Sequence, residues 1–494
     1  MNNNIISELD LKNLFLYYFK NSSQLNHKQT LELEKIQHKI EIILSLDDNF
    51  EVINNFQHSF CPSYPNSILI WGNENIFDSK KESMDDLNQI IRKSRLGRAR
   101  NRFPISVISI QNKIIARSST ISSEKELFFK ANTKLKNFLN EKEINQIKKE
   151  FENQKAKNFE KIKIRRADVS LLNQLKIVYI MDLMVEYEKK KFGFIVSSSE
   201  KKIINDFPEY QQFQISCCPY PGIELFRNIS ENKYSGENIK YNWENSRNNV
   251  EVSISPFLQE INLIKEIDFS KFKEWDLLKL TQNYFMLFLL MVSDPHPNRG
   301  VNIHCISGYD RTPLFISILR CSLWADGVIH QSMSVDSFLY FCIAYDWMLF
   351  SHLFKKRLEK RAEILAFSFQ FLSEIQSQSF SFNHFQQIWS QHINNSKIQN
   401  SNENDNLDLS SNSQIIDNKT NFQQILQEDL DSTTSFEDDI PIINHSKLSS
   451  DSQKLTENIP IQENEKREEK LQNLRERFFQ IYNQVIIPLF SSKK

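Results

Sequence analysis

Apolar and polar positions divide the 494-residue chain into blocks of different texture. Lys28–Leu46 carries apolar side chains at helical spacing, and Ser67–Gly72 is a short apolar run. A basic cluster, Arg92–Arg102 (RKSRLGRARNR), leads into Ile105–Ile115, which alternates as a strand does. Residues 124–165 are charged and polar with helical spacing, which predicts an exposed helical stretch. From Lys176 the texture becomes denser. KIVYIMDLMV reads as a buried strand, and helices and short strands alternate to about Phe371. The greasiest run, Tyr284–Val292, is about half of what a membrane span needs.

The pattern then breaks. Residues 395–465 are Asn, Ser, Asp and Gln with few aromatics. So little apolar surface cannot offset the entropy of ordering the chain, which predicts a disordered acidic linker. Beyond Lys466 the residues Leu471, Leu474, Phe478, Ile481 and Val485 recur at spacings of 3, 4, 3 and 4, the mark of an amphipathic helix. Its expected role is docking back on the folded domain, ahead of membrane contact or a coiled coil.

Composition bounds the function. With 40% hydrophobic residues, among them 38 Phe, the chain buries a large core, and disorder throughout is excluded. Formal net charge is −1, but residues 401–460 hold 12 Asp and Glu against 3 Lys, leaving about +8 on the remainder. A mildly basic folded part suits phosphates or lipid head groups, and equally an ordinary lysine-rich surface. The six cysteines (61, 217, 218, 305, 321 and 342) show neither a CxxC pair nor zinc spacing. MNNNIISELDLKN lacks a signal-peptide core. The chain reads as cytosolic and thiol-reducing.

Three of the eight glycines, Gly300, Gly308 and Gly327, surround Val301–Thr312, VNIHCISGYDRT. A β-branched run delivers His304-Cys305; five residues later come Arg311-Thr312, then Pro313 in the first turn of an apolar helix. Strand, tight loop and helix N-terminus form a phosphate cradle of converging N–H groups, supplied by Ile306, Ser307, Gly308 and Tyr309. A cysteine opening such a loop has its pKa lowered to ~3.5–7.5 and aims a thiolate at phosphorus. Arg311 then holds two equatorial oxygens bidentately, and Asp310 protonates the leaving alkoxide. Thr312 donates a hydroxyl hydrogen bond to the thiolate, and His304 braces the loop from behind. The bland alternative is a buried cysteine at a strand end.

The loop resembles that of the protein tyrosine phosphatase superfamily, and the Asp directly before the Arg is similar to the myotubularins, which dephosphorylate phosphoinositides. HCISGYDRTPLFISILRCSLWADGVIH, MDLMVE with KFGFIVSSSEK, CCPYPGIELF, LNQIIRKSRLGRARNRFPISVISIQNKIIARSST and KLQNLRERFFQIYNQVI resemble a divergent myotubularin branch. The likeness covers most of residues 30–375 and the last thirty; residues 120–160 and the acidic linker lie outside it. It implies an α/β fold, a phosphatase-like central sheet flanked by helices, with the loop at the carboxyl end of a strand. The implied organisation is an N-terminal region over 1–95, a phosphatase domain over 96–390, the linker over 391–465 and a C-terminal helix over 466–490. The implied reaction removes the 3-phosphate from phosphatidylinositol 3-phosphate and the 3,5-bisphosphate through a phosphocysteine on Cys305, without metal or cofactor. The implied partners are phosphoinositide lipids rather than nucleic acid, met from the cytoplasm at endosomal or autophagic membranes.

The usual myotubularin loop reads C-S-D-G-W-D-R; Ser307 replaces the first acid here and Tyr309 the tryptophan. The divergent branch itself carries the Ile-Ser pair. Downstream, Trp347-x-x-Phe350-x-His352-x-Phe354-x-x-Arg357 resembles the myotubularin helix that supplies head-group arginines. Arg357 fills one such position, whereas Leu353 at the other weakens the case for 5-phosphate recognition. Asp276, 29 residues ahead of Cys305, is a second candidate acid or a helix-dipole carboxylate. Asp326, Asp346 and Trp347 read as structural, and Cys217, Cys218 and Cys342 as core thiols. The cluster Arg92–Arg102 meets anionic lipid or pairs within the fold. Two rival functions share the loop: a protein phosphatase, which the place of Asp310 disfavours, and an inactive lipid-binding scaffold, which the presence of Cys305, Asp310 and Arg311 disfavours.

Overall fold

The computed structural model describes residues 5–22, 30–47, 50–55, 59–71, 84–123, 126, 154–185, 188–191, 194–245, 250–404 and 461–491. Among these, the strands are β1 (Phe50–Asn54), β2 (Ser67–Trp71), β3 (Ile105–Ile110), β4 (Lys113–Ser119), β5 (Ile121–Ser122), β6 (Ile177–Asp182), β7 (Glu188–Lys191), β8 (Phe194–Ser198), β9 (Gln214–Cys217) and β10 (Gly300–Cys305). The central sheet runs β3-β4-β10-β6-β9; β1 pairs with β2, and β5, β8 and β7 form a third sheet. In the central sheet β4, β10, β6 and β9 are parallel, and β3 is antiparallel at the edge. Helices flank it, in line with the α/β expectation.

β10 has a parallel neighbour on each side and all six of its residues are buried, which is why it reads as an unbroken run rather than an alternating one. Helix Leu277–Val292 leads into β10, and helix Arg311–Ala325 leaves it with every residue buried. A helix closed in on all sides needs no polar face, and only Arg311 and Arg320 are charged within it.

The alternation of Ile105–Ile115 is two strands, not one. Gln111 and Asn112 turn the chain with φ of 47° and 62°, and because the turn takes two positions the period of two carries on across it. The helical stretch expected over 124–165 falls largely outside the described residues; its end belongs to helix Gln154–Gln174, where Arg165 and Asp168 are buried rather than exposed.

The C-terminal helix, Ile461–Ser491, docks on the core as its pattern predicts: Leu471, Leu474, Phe478 and Ile481 are fully buried. Phe478 stacks on Phe369 at 4.0 Å and meets Phe15 at 5.9 Å. Arg467 pairs with Asp326 and donates to the carbonyls of Ser322, Ile375 and Phe380. Phe15, near the N-terminus, also packs on Phe354 and Tyr482. The boundary expected at residue 95 is therefore no break in the core, and residues 1–390 form one compact unit with 464–494. Residues 391–463 are a second unit, and the linker expected over 391–465 lies for the most part outside the described residues. Among the described residues no helix is long and apolar enough to cross a membrane.

Candidate active site

The end of β10 is fixed from both sides. Thr120 N–H donates to the carbonyl of Cys305 (2.9 Å), and Leu183 N–H to that of His304 (2.8 Å). The chain then turns through residues 306–310 into helix Arg311–Ala325. Gly308 makes the turn at φ +68°, and a Cβ there would stand 2.8 Å from the Ser118 carbonyl, so two independent constraints require glycine. Its N–H donates to the Cys305 Sγ at 3.2 Å. Burial pushes the Cys305 thiol up, but the Arg311 charge, the Thr312 hydroxyl and the Ser307 and Thr312 N–H groups outweigh it and bring it down to about 7. The buried Thr312 hydroxyl makes no other hydrogen bond and helps lower the Cys305 thiol. Arg311 is anchored by one nitrogen: Nη1 donates to the carbonyls of Leu183 and Tyr220, both at 2.7 Å. Its Nε and Nη2 have no acceptor among the described residues and suit an oxyanion in the cradle.

Two buried arginines hold the loop from beneath. Arg102 and Arg117 both donate to the Gly308 carbonyl, at 3.2 and 3.0 Å. Arg102 also donates to the Ser63 hydroxyl (2.8 Å) and lies between the rings of Tyr64 (4.6 Å) and Tyr309 (4.4 Å). Arg117 donates to the Asp346 carbonyl (2.7 Å), in the π-helical turn Cys342–Met348. Burial brings Arg117 down to about 10.

Behind the cysteine runs a dry chain of charges. His304 Nε2 meets Glu200 Oε2 at 2.8 Å, and Arg98 Nη1 meets the other Glu200 oxygen at 2.5 Å. Arg98 also grips Asp168 with two bonds of 2.8 and 2.7 Å, and Asp168 accepts from Ser94 (3.0 Å) and Tyr210 (2.8 Å). Burial pushes His304 down, but Glu200 and Asp182 raise it above its ordinary value. Burial pushes Glu200 up, but His304 and Arg98 outweigh it and bring it to about 2. Asp182, Glu200 and His304 offer metal-type donors within 4.8 Å of one another. Both Glu200 oxygens are already engaged by cations, so the cluster is explained as an ion-pair network. Glu200 thus holds the His304 ring in place behind Cys305.

The front of the loop is wetter. Arg357 binds Asp310 bidentately with two bonds of 2.8 Å. His352 Nδ1 lies 3.0 Å from the Tyr309 carbonyl and 3.1 Å from Asp310. Burial pushes Asp310 up, but His352 and Arg357 outweigh it and hold it well below the usual carboxylate range. The segment expected as one arginine-bearing helix is broken: after the π-helical turn Ser351 takes φ +63°, and a new helix starts at Phe354–Glu359. Arg357 is neither a free head-group cation nor an idle surface residue; it faces Asp310. Ile306 and Ser307 are half-buried and Tyr309 is buried.

Asp276 caps helix Leu277–Val292: one oxygen accepts Lys279 N–H (2.9 Å), the other Asn238 N–H (2.8 Å). Both oxygens are occupied, as a structural carboxylate's would be. Asp346 binds Arg320 with two bonds of 2.9 Å. Burial pushes the thiols of Cys217, Cys218 and Cys342 up. The basic cluster divides. Arg98 and Arg102 are buried, Arg95 donates to the Phe60 carbonyl (2.7 Å), and Arg92 lies over the Phe60 ring. Arg100 is exposed. Glu200, Asp168, Arg117 and His352 were not singled out from sequence. Their partners lie as much as 104 and 229 positions away, beyond any local spacing.

No family model matches the chain. It is 36% identical over 370 residues to phosphatidylinositol-3,5-bisphosphate 3-phosphatase MTMR14 of Mus musculus, covering 72% of this chain and 55% of that protein. It is 35% identical over 364 residues to the Homo sapiens protein of the same name, covering 71% and 54%. Over the matched residues the chain is similar to both proteins. It spans about half the length of the curated relatives it matches. The loop has two unlike surroundings, a dry ion-pair network behind Cys305 and a partly exposed pair in front.

Proposed function

We propose that the chain is a phosphoinositide 3-phosphatase acting on phosphatidylinositol 3-phosphate and the 3,5-bisphosphate. One observation carries the chemistry: a Cys305 thiol brought down to about 7, facing an Arg311 with two nitrogens unengaged. The lipid class comes from the name of the MTMR14 relatives. Cys305 Sγ attacks the 3-phosphorus, the bond from phosphorus to the inositol oxygen breaks, and that oxygen takes up a proton. Water then attacks the phosphocysteine, releasing inorganic phosphate and restoring the thiolate. Arg311 and the N–H groups of Ile306–Tyr309 hold the non-bridging oxygens throughout.

Asp310 serves this cycle in both directions. As the carboxylate that Arg357 and His352 favour, it accepts the proton of the attacking water. To donate in the first step it must give up Arg357, whose guanidinium has a substitute partner once substrate phosphate arrives. The site works from the cytoplasmic face of endosomal or autophagic membranes, bound peripherally.

Phosphate release is measured from soluble short-chain phosphatidylinositol 3-phosphate, the 3,5-bisphosphate and a phosphotyrosine peptide. Wild type releases phosphate from the lipids, and Cys305→Ser does not. Release from the peptide alone moves the chain to protein phosphatases. A folded protein that binds lipid but releases nothing is a scaffold.

A further inference from the structure

The arginines that touch the loop are nearly all engaged. Arg102 and Arg117 hold the Gly308 carbonyl, Arg311 is anchored on Leu183 and Tyr220, and Arg357 is neutralised by Asp310. Arg100 differs. Its guanidinium lies 5.1 Å from the centre of the Tyr309 ring, it is exposed, and no described residue gives it a carboxylate or carbonyl partner. Tyr309 sits inside the loop, two positions before Arg311.

Its placement is built rather than incidental. Arg98, Ala99 and Arg102 are buried around it, and Arg100 is the side chain of this segment left exposed. The backbone between is tied to the end of β4. Ala99 N–H donates to the Thr120 carbonyl (2.9 Å), Ser119 N–H to that of Arg102 (3.0 Å), and the Ser119 hydroxyl to that of Ala99 (2.7 Å). Arg100 and Asn101 both adopt left-handed backbone, φ 56° and 61°, which non-glycine residues take only at a cost. Two such residues in succession reverse the chain, and the reversal lifts Arg100 over the ring. Glu126 accepts the Arg100 N–H at 3.3 Å, so the nearby carboxylate binds the backbone of Arg100.

Resting on the phosphatase reading above, we propose that Arg100 recognises the second phosphate of a bisphosphorylated inositol head group while Arg311 holds the phosphate being removed. Leu353 carries no charge, and Arg357, once Asp310 releases it, turns to the phosphate under attack, so the discriminating cation comes from the segment before β3. The guanidinium fork matches a phosphate in geometry, and Tyr309 beneath it limits its motion.

The test compares kcat/KM for dioctanoyl phosphatidylinositol 3,5-bisphosphate with that for the dioctanoyl 3-phosphate. The enzymes are wild type, Arg100→Gln, Arg100→Lys and Arg92→Gln, each shown by its melting transition to be folded. The bisphosphate-to-monophosphate ratio falls about tenfold in Arg100→Gln, the worth of one charge-assisted contact, and the change lies mainly in KM. Arg100→Lys restores part of the ratio, and Arg92→Gln, from the same basic cluster, leaves it at the wild-type value. A ratio unchanged in Arg100→Gln overturns the proposal, and so does an equal fall in Arg92→Gln, which would mean general charge attraction. Wild type inactive on both lipids removes the phosphatase reading itself, a result distinct from either.

Discussion

Behind Cys305 the side chains of Arg98, Asp168, Glu200 and His304 have no exposure, and each charge meets at least one of opposite sign. In front of it, Asp310 and Arg357 keep 14% and 13% of theirs. The chemistry of the two clusters is alike, carboxylates with arginine and histidine, yet their energetics differ. In the dry cluster a lost partner strands a charge that water cannot reach. In the front pair, water or a substrate phosphate takes a lost partner's place. The first cluster suits a fixed support, the second a site that exchanges partners during reaction.

The sharpest way to break this contrast is Arg98→Met. It leaves Asp168 and Glu200 buried without their cation, and the expected loss is about 3–5 kcal/mol in urea unfolding. A loss below about 1 kcal/mol would mean that the rear network is no support. Asp310→Asn comes next: kcat on the soluble 3-phosphate falls about 10²-fold, while unfolding free energy falls by only about 1 kcal/mol, the worth of a pair that solvent reaches. Gly308→Ala costs about 2 kcal/mol through its left-handed backbone and the Ser118 carbonyl, and activity falls with it. Arg357→Met is the mildest, about 1 kcal/mol of stability, because the pair it removes is reached by solvent.

Acid separates the clusters further. Glu200 is held at about 2 against an ordinary 4.5, and Asp310 is held below its ordinary 3.8. Depressed carboxylates add stability above their unfolded values and lose it as pH falls through the folded ones, so unfolding free energy declines from about pH 5 downward. His304, raised above 6.5, adds stability below that value and loses it as pH rises through its folded one. Glu200→Gln flattens the acid decline measured by denaturant unfolding, and an unchanged slope would contradict the assignment.

The sequence makes the loop legible because its parts are local. His304 through Thr312, with Gly308 between, specify a strand end, a sharp turn and a helix start within nine residues. The C-terminal helix is legible for the same reason, since Leu471 to Val485 keep one period. The surroundings are not. Glu200 lies 104 positions from His304, and the β10–β6 register gives His304 Asp182 as its strand partner, so nothing local marks the pair. Arg357 carries no mark of its partner, and the break at Ser351 that turns it toward Asp310 is a single unpredictable backbone angle. Tertiary pairing over a hundred positions leaves no period to read.

One property decides this mechanism, the Cys305 thiolate that the loop and Arg311 favour near neutral pH. Its most direct test is the rate of Cys305 alkylation by iodoacetamide from pH 5 to 10, with Cys305→Ser as the blank. Burial pushes Cys61, Cys217, Cys218 and Cys342 up, so they do not compete at neutral pH. The expected midpoint lies near pH 7 and moves upward in Arg311→Met. A wild-type midpoint at the ordinary 9.0 or above would contradict it.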